Sequence, residues 1–406
     1  MAVRSTPSSG RSLPRARLLT HPDAQCLLAC GVDPASLPIL EPKLQHKVLL
    51  LEGVKIFAAN ILKQTMLSLG GDVAVHRGVI SGKVEYSDCV IMGDLRHYRR
   101  LIEKLHRQPS MAHLAEMIAH QVFADKGSLE LRLRGQVYRW ETLPVVMGIL
   151  NVTPDSFSDG GSFLDPNQAL DHAYAMLDQG AEIIDIGGES TRPGSCPIDA
   201  EIELKRIIPI VERLASMTNI PISVDTQKAM VARHVLDAGA SMINDVSALT
   251  SDPDMIAAVR ESGAGVVIMH MRGIPEIMQD NTAYADIVRA IYEFLAERVD
   301  TCLENGIELS SIVVDPGIGF GKDLSGNLSL LRHVAAFRSL AVPVMLGYSR
   351  KSFIGGILNV EVDQREEGTD AVTAWATLNG VDIVRVHDVL HATRIRKVLK
   401  TIATSS

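Results

Sequence analysis

Aromatic residues are scarce in this chain. Only 4% of its 406 residues are Phe, Trp or Tyr, so a core has to rest on Val, Ile, Leu, Ala and Met, side chains that a barrel interior uses readily. Cysteine is sparse too. Five scattered Cys, an odd count, point to a reducing compartment, the cytoplasm. Cys26 and Cys30 form a lone CxxxC pair without the rest of a ligand set, so zinc is not indicated. No apolar run approaches membrane-spanning length, and no secretory hydrophobic region is found. An excess of positive charge is also missing: 40 Lys and Arg against 48 Asp and Glu leave a net charge of −8. With 46% hydrophobic residues, this balance suits a soluble globular protein and argues against nucleic acid as the main partner.

From Pro144 onward, short apolar runs alternate with segments of helical pattern. The runs are Val145 to Val152, Glu182 to Gly187, Ile222 to Asp225, Met242 to Asp245, Gly265 to Met271, Ile312 to Asp315, Val344 to Gly347 and Ile383 to His387. Between them Gln168 to Gln179, Glu201 to Met217, Met230 to Ala238 and Tyr284 to Asn305 carry apolar residues at helical spacing. Eight strand and helix units in about 260 residues predict a closed parallel (β/α)8 barrel, the TIM-barrel fold. A doubly wound open sheet is the rival, but it usually has fewer strands and often a Gly-rich phosphate fingerprint after the first, which is missing here.

Each predicted strand carries polar chemistry at its C-terminal end: Asn151, Asp185 with Glu189, Asp225, Asn244 with Asp245, His270, Asp315, Ser349 with Arg350 and Lys351, and Arg385 with His387. In a barrel these ends converge on one mouth. A single buried Asp or Asn is more often a satisfied structural group than a catalyst, but eight convergent sites are not all explained that way. Asp185 and Asp245 are the first candidates for supporting or capping roles.

The segments VMGILNVTPDSFSDGG (Val146 to Gly161) and GAEIIDIGGESTRPG (Gly180 to Gly194), followed in order by SVDTQKA, INDVSAL, VIMHMRGIPEIMQ, VDPGIGFGK, GYSRKSFIG and RVHDV, resemble the dihydropteroate synthases. That folate-pathway family condenses 6-hydroxymethyl-7,8-dihydropterin diphosphate with para-aminobenzoate and releases diphosphate. The resemblance runs from about Leu129 to near the C-terminus. It implies a pterin pocket made by Asp225, Asn244, Asp315, Lys351 and Arg385. Such a set suits an aminopyrimidinone edge: carboxylates accept from ring N–H groups, Asn244 donates and accepts, Lys351 donates, and the guanidinium of Arg385 can stack on the ring.

The resemblance further implies that Asn151 helps hold Mg²⁺ and that Arg192, Arg385 and His387 lie near the diphosphate. Two loops, Thr153 to Phe163 and Glu189 to Cys196, would close the site. An aminobenzoate pocket follows from Phe157, Thr191, Pro193, Phe320, Lys351 and Ser352, the site at which sulfonamide analogues would compete. The implied mechanism is dissociative, with Asp159 near the developing cation, so the catalytic set is Asp159, Asn151, Arg192, Lys351, Arg385 and His387. Small-molecule substrates and a homodimer are expected.

Leu129 to Glu141, LELRLRGQVYRWE, alternates on either side of Gly135 and predicts a β-hairpin; in the family a hairpin at this place covers the bottom of the barrel, so the catalytic domain is taken as 129–406. Residues 1–20 are rich in Ser, Pro and Arg without an acidic residue and are expected to be a disordered tail, with an organellar transit peptide as the alternative. Residues 21–128 predict a small α/β domain: strands at Lys47 to Glu52, Val73 to His76 and Cys89 to Met92, and helices at Lys55 to Leu69, Leu95 to Leu105 and Met111 to Phe123. Lys63, His76, Arg77, Asp94 and Arg96 are candidates there for a ligand site or for packing. Two rival functions stay open at this level. One is a pterin-binding barrel that transfers a methyl group from a reduced folate; the other is an inactive barrel serving as a binding subunit.

Overall fold

The computed structural model describes residues 16, 19, 22–123, 128–153, 166–190, 195–273, 278–279 and 281–404. The chain divides into two compact units, Met1–Ala124 and Asp125–Ser405.

In the first unit, α1 (Ala24–Ala29) and α2 (Leu37–Leu40) precede β1 (His46–Lys55), α3 (Ile56–Leu69), β2 (Asp72–Val75), β3 (Tyr86–Asp94), α4 (Leu95–His106) and α5 (Ala112–Phe123). The strands form an antiparallel sheet in the order β1-β3-β2. Strand β1 outruns its predicted span because β3 pairs with it from Asp94 to Tyr86, across an irregularity between Leu51 and Val54 that breaks the sequence alternation. Gly70, at φ +94°, ends α3 at Leu69, the predicted end of that helix. The core of this unit includes Leu62, Met66, Ile91, Tyr98 and Leu101. Three of the candidate polar residues serve local structure: Asp94 caps α4 by accepting from the Arg96 and His97 backbone and pairs with the Arg96 side chain, and His76 Nδ1 accepts from Gly78 N–H.

The second unit opens with a hairpin, β4 (Leu129–Leu133) and β5 (Gln136–Trp140). Eight strands follow: β6 (Val145–Asn151), β7 (Ile183–Gly187), β8 (Ile222–Asp225), β9 (Met242–Asp245), β10 (Gly265–Met269), β11 (Ile312–Asp315), β12 (Met345–Gly347) and β13 (Ile383–Val386). They are interleaved with α6 (Pro166–Asp178), α7 (Ala200–Met217), α8 (Ala229–Asp237), α9 (Met255–Ser262), α10 (Ile287–Glu304), α11 (Leu324–Arg332), α12 (Ser352–Leu358) and α13 (Glu366–Leu378), and α14 (Val389–Thr404) ends the described chain. The parallel sheet runs β11-β10-β9-β8-β7-β6-β13-β12, and a bridge between Val314 and Val344 joins its two ends into the predicted barrel. Strand β10 stops at Met269, two residues short of its predicted end.

Because side chains alternate along a strand, every second residue of each barrel strand points inward. At the N-terminal ends these are Val145, Met147, Ile183, Met242, Val313, Met345 and Ile383, which pack with Leu129, Leu131 and Leu133 of the hairpin. The hairpin therefore plugs the floor of the barrel. Its two-residue turn puts both Arg134 and Gly135 at positive φ. Arg134 is held in that unfavourable backbone state by bonds from its N–H to Gly263 O and from its guanidinium to Leu236 O and Ala240 O. Two residues further along the same strands, the inward positions become Asp185, Asn244, Asp315 and Arg385. The barrel interior is thus an apolar floor beneath a polar layer.

Candidate active site at the barrel mouth

Strand register builds the polar layer. Asn151 lies opposite Gly187, Gly187 opposite Asp225, and Asp225 opposite Asn244, so one row of neighbouring strand ends carries three of the predicted residues. Arg385 reaches into this row: its Nε donates to Asp185 Oδ2 at 2.6 Å and its Nη2 to Asp225 Oδ2 at 2.9 Å, while Asn244 Nδ2 donates to Asp185 Oδ2 at 3.1 Å. Asp185 is fully buried and holds both Arg385 and Asn244 in place, which makes it a support. Asp245 caps the turn after β9 by accepting from Ser247 and Leu249. The hydrogen-bonding edge of Arg385 is engaged by carboxylates, so its planar faces remain for a ring to stack on.

This network leaves Asp225 Oδ1 and Asp185 Oδ1 buried with no hydrogen-bond partner among the described residues. A buried carboxylate oxygen without a partner is costly. Burial pushes Asp225 up to about 7 against the opposing pull of Arg385. Burial likewise raises Asp315, with Lys351 opposing, and lowers Lys351 to about 8, with Asp315 opposing.

Beside this row lies the turn after β11. Asp315 Oδ1 accepts from Gly317 N–H at 2.7 Å. At Gly317 (φ +71°) a Cβ would sit 2.0 Å from His270 O, so only glycine fits. Lys351 donates to Ile318 O, and its ammonium stands 4.3 Å from the centre of the Phe320 ring. Ser352 is exposed at the start of α12.

A third group lines a cavity of about 530 Å³ that includes Asn151, Arg350, His387, Asp388 and His391. His387 N–H donates to Ser349 Oγ at 3.2 Å, and Nδ1 lies 2.9 Å from the same oxygen. Arg350 sits at φ +57°, an unusual backbone state for a residue with a side chain, and its guanidinium pairs with Glu366. Asn151 offers one half-buried amide oxygen to an open cavity. That fits Mg²⁺, which keeps water and substrate phosphate oxygens as most of its ligands. Among the described residues, the one trio spaced to hold a metal by His and carboxylates alone is Glu366, Asp388 and His391, in which Glu366 is paired with Arg350 and His391 with Asp370.

Asp159 and Phe157, and Thr191, Arg192 and Pro193, lie outside the described residues. Sequence reasoning passed over Lys228, which joins Glu189 and the buried Glu203 at 2.5 and 2.6 Å, and Lys322, although both stand inside quoted motifs. The available signal was a lysine that shares its short motif with a pocket aspartate, Asp225 in one case and Asp315 in the other.

Residues 147–387 match the family model described as pterin binding enzyme. A dihydropteroate synthase from Synechocystis is 45% identical over 264 residues, 64% of this chain and 91% of that protein. A probable bifunctional folylpolyglutamate synthase/dihydropteroate synthase from Haloferax volcanii is 39% identical over 342 residues, 82% of this chain and 40% of that protein. Among solved structures, Xanthomonas albilineans dihydropteroate synthase with 4-aminobenzoic acid superposes with a TM-score of 0.64 at 41% identity, covering 69% of this chain and all of that one. A barrel whose mouth gathers buried carboxylates, an amide and two cations around an unfilled acceptor is a pterin-binding enzyme, and the match spans more than half the chain. Within that class the chain belongs to the dihydropteroate synthase family, transferases of folate biosynthesis.

Proposed function

We propose that the polar layer of the barrel holds the aminopyrimidinone edge of 6-hydroxymethyl-7,8-dihydropterin diphosphate through Asp225, Asn244, Asp315, Lys351 and Arg385. The substrate is then joined to para-aminobenzoate to give 7,8-dihydropteroate and diphosphate. The observation that carries this reading is Asp225 Oδ1, buried and unpartnered beside Asn244 and Arg385. A ring N–H fills that acceptor, and a ring without one leaves it empty, so the pocket discriminates by hydrogen-bond pattern.

The chemistry asks for charge stabilisation more than for a strong base. The C–O bond to diphosphate breaks with its electron pair leaving on the diphosphate, and the methylene cation is delocalised over the pterin. The arylamine lone pair then forms the C–N bond and the nitrogen sheds a proton. Arg192, Arg385 and His387 take the leaving charge, and Asp159 faces the cation. With Ser349 Oγ against Nδ1, the His387 ring can present Nε2–H to a phosphate oxygen. Asn151 would hold Mg²⁺ together with diphosphate oxygens, and the bound ion adds positive charge at the leaving group. Phe157, Thr191, Pro193, Phe320, Lys351 and Ser352 bound the aminobenzoate.

A homodimer is supported by exposed apolar side chains on and between α12 and α13, among them Ile357, Val362 and Leu378 at 53%, 54% and 69% exposure. The cytoplasm fits five free cysteines, and no helix among the described residues is long and apolar enough to cross a membrane.

The test is diphosphate release from pterin diphosphate with Mg²⁺, with and without para-aminobenzoate. Release that depends on aminobenzoate and yields dihydropteroate is the expected result. Asp225→Asn, which replaces one acceptor by a donor, is expected to weaken pterin diphosphate binding by about a hundredfold in calorimetry. Near-native affinity would remove the pocket assignment, and release without an aminobenzoate requirement would overturn the reaction.

A further inference from the structure

Lys322 is one of the most buried basic side chains among the described residues, with 3% of its surface exposed, and it is not itself among the predicted substrate contacts. Its ammonium donates to Phe320 O at 2.7 Å and to His270 O at 3.1 Å, and lies 3.1 Å from His270 Nδ1. All three of its hydrogen-bonding directions are therefore used. The partner at the other end is rigid: the His270 ring packs edge-on against Phe294 at 4.9 Å and tilts against Tyr284, whose hydroxyl donates to Gly321 O. Asn327 on α11 fastens the same turn from outside, accepting from Gly319 N–H at 2.7 Å and donating to Lys322 O and Asp323 O.

The fastened turn, 317–322, is the one that presents Ile318 O and the Phe320 ring to Lys351. A charge this deep is expensive unless it is fully paired. Burial, then the nearby Lys351 and Arg272, depress the Lys322 ammonium well below the ordinary lysine value, with Asp315 opposing. An apolar side chain would fill the space at lower electrostatic cost but would leave two carbonyls without donors.

We propose that Lys322 is a positioning residue for aminobenzoate: by clasping Phe320 O to the His270 backbone and ring, it fixes the Phe320 ring beneath the Lys351 ammonium. The proposal deepens the reading that Phe320 and Lys351 face aminobenzoate and rests on it.

Steady-state kinetics of the full chain at saturating pterin diphosphate provide the test. Lys322→Met is expected to raise KM for aminobenzoate about tenfold, keep kcat within about threefold, and leave pterin diphosphate affinity within about twofold. Combined with Phe320→Leu, it should add less than about twofold to the effect of Phe320→Leu alone, because both act through one ring. General loosening of the barrel would instead multiply the two effects. Asn327→Ala, which releases the same turn from outside, should move KM in the same direction by a smaller factor, and it carries the test if Lys322→Met does not fold. If Phe320→Leu raises KM while Lys322→Met or Asn327→Ala leaves it unchanged, or if the double variant is multiplicative, the inference is overturned. An unchanged KM in Phe320→Leu would overturn the pocket reading itself, and the inference with it.

Discussion

Arg385 commits its donors to two carboxylates before any substrate arrives, and Asp225 enters the free enzyme with one oxygen bonded and one bare. This half-satisfied state costs stability and is recovered when a ligand supplies the missing donor. It also sets a pH dependence. Burial raises Asp225 to about 7, so below that pH the carboxylate takes up a proton, loses its charge and turns one acceptor oxygen into a donor. Burial lowers Lys351 to about 8, so above that pH its ammonium loses the proton and with it the charge over Phe320. Both shifts belong to the unliganded protein, the state that kcat/KM reports. The expected profile of kcat/KM for pterin diphosphate is a narrow bell, with an acid limb well above the ordinary carboxylate range and an alkaline limb near 8. Measuring it from pH 5 to 10 checks both groups. An acid limb near the ordinary carboxylate value would remove Asp225 from that role, and an alkaline limb beyond 10 would remove Lys351.

At the scale of elements, the hairpin of β4 and β5 does for the barrel floor what a core does for a sandwich. Leu131 is fully buried among inward residues of the strands, at the end opposite the polar layer. Leu131→Ala should lower unfolding free energy by about 2–5 kcal/mol, read by denaturant titration, while both KM values stay within about twofold. A shifted KM with unchanged stability would mean that the floor couples to the mouth. The strands, the hairpin and the mouth were legible in the sequence because their signals are local. The apolar runs of β6, β8, β9 and β11 end in Asn or Asp, and alternation puts Ile183 and Asp185, or Ile383 and Arg385, on one inward face. The Lys228 bridge to Glu189 and Glu203 and the Lys322 clasp on His270 were not legible. Their partners stand 39, 25 and 52 residues away, and no periodicity links them. Strand β10 ends two residues before the sequence predicts. His270 stands between Met269 and Met271 in the sequence, and its N–H still bonds Asp315 O although regular pairing ends at Met269.

For the whole molecule, the question is what the first unit adds to a site that lies wholly in the second. Every described residue assigned to substrate, from Asn151 to His387, belongs to the barrel unit, and the Synechocystis relative is matched over nearly its full length by a stretch of barrel size. Each unit has its own core: Leu62, Met66, Ile91 and Tyr98 close one, while the other is closed below by the hairpin and around by its helices. A unit with its own core and no catalytic residue is expected to be separable. A chain beginning at Ser128 keeps the hairpin plug and should therefore fold, and its aminobenzoate-dependent turnover should stay within about threefold of the full chain. The comparison is made on the same diphosphate release assay, with circular dichroism to establish that the shorter chain is folded. Lost turnover in a folded barrel would mean that the upstream unit acts on the mouth, by contact or through assembly. Retained turnover would leave the fold of the first unit, with its capped α4 and its own sheet, as a module whose ligand or partner is separate from the synthase reaction.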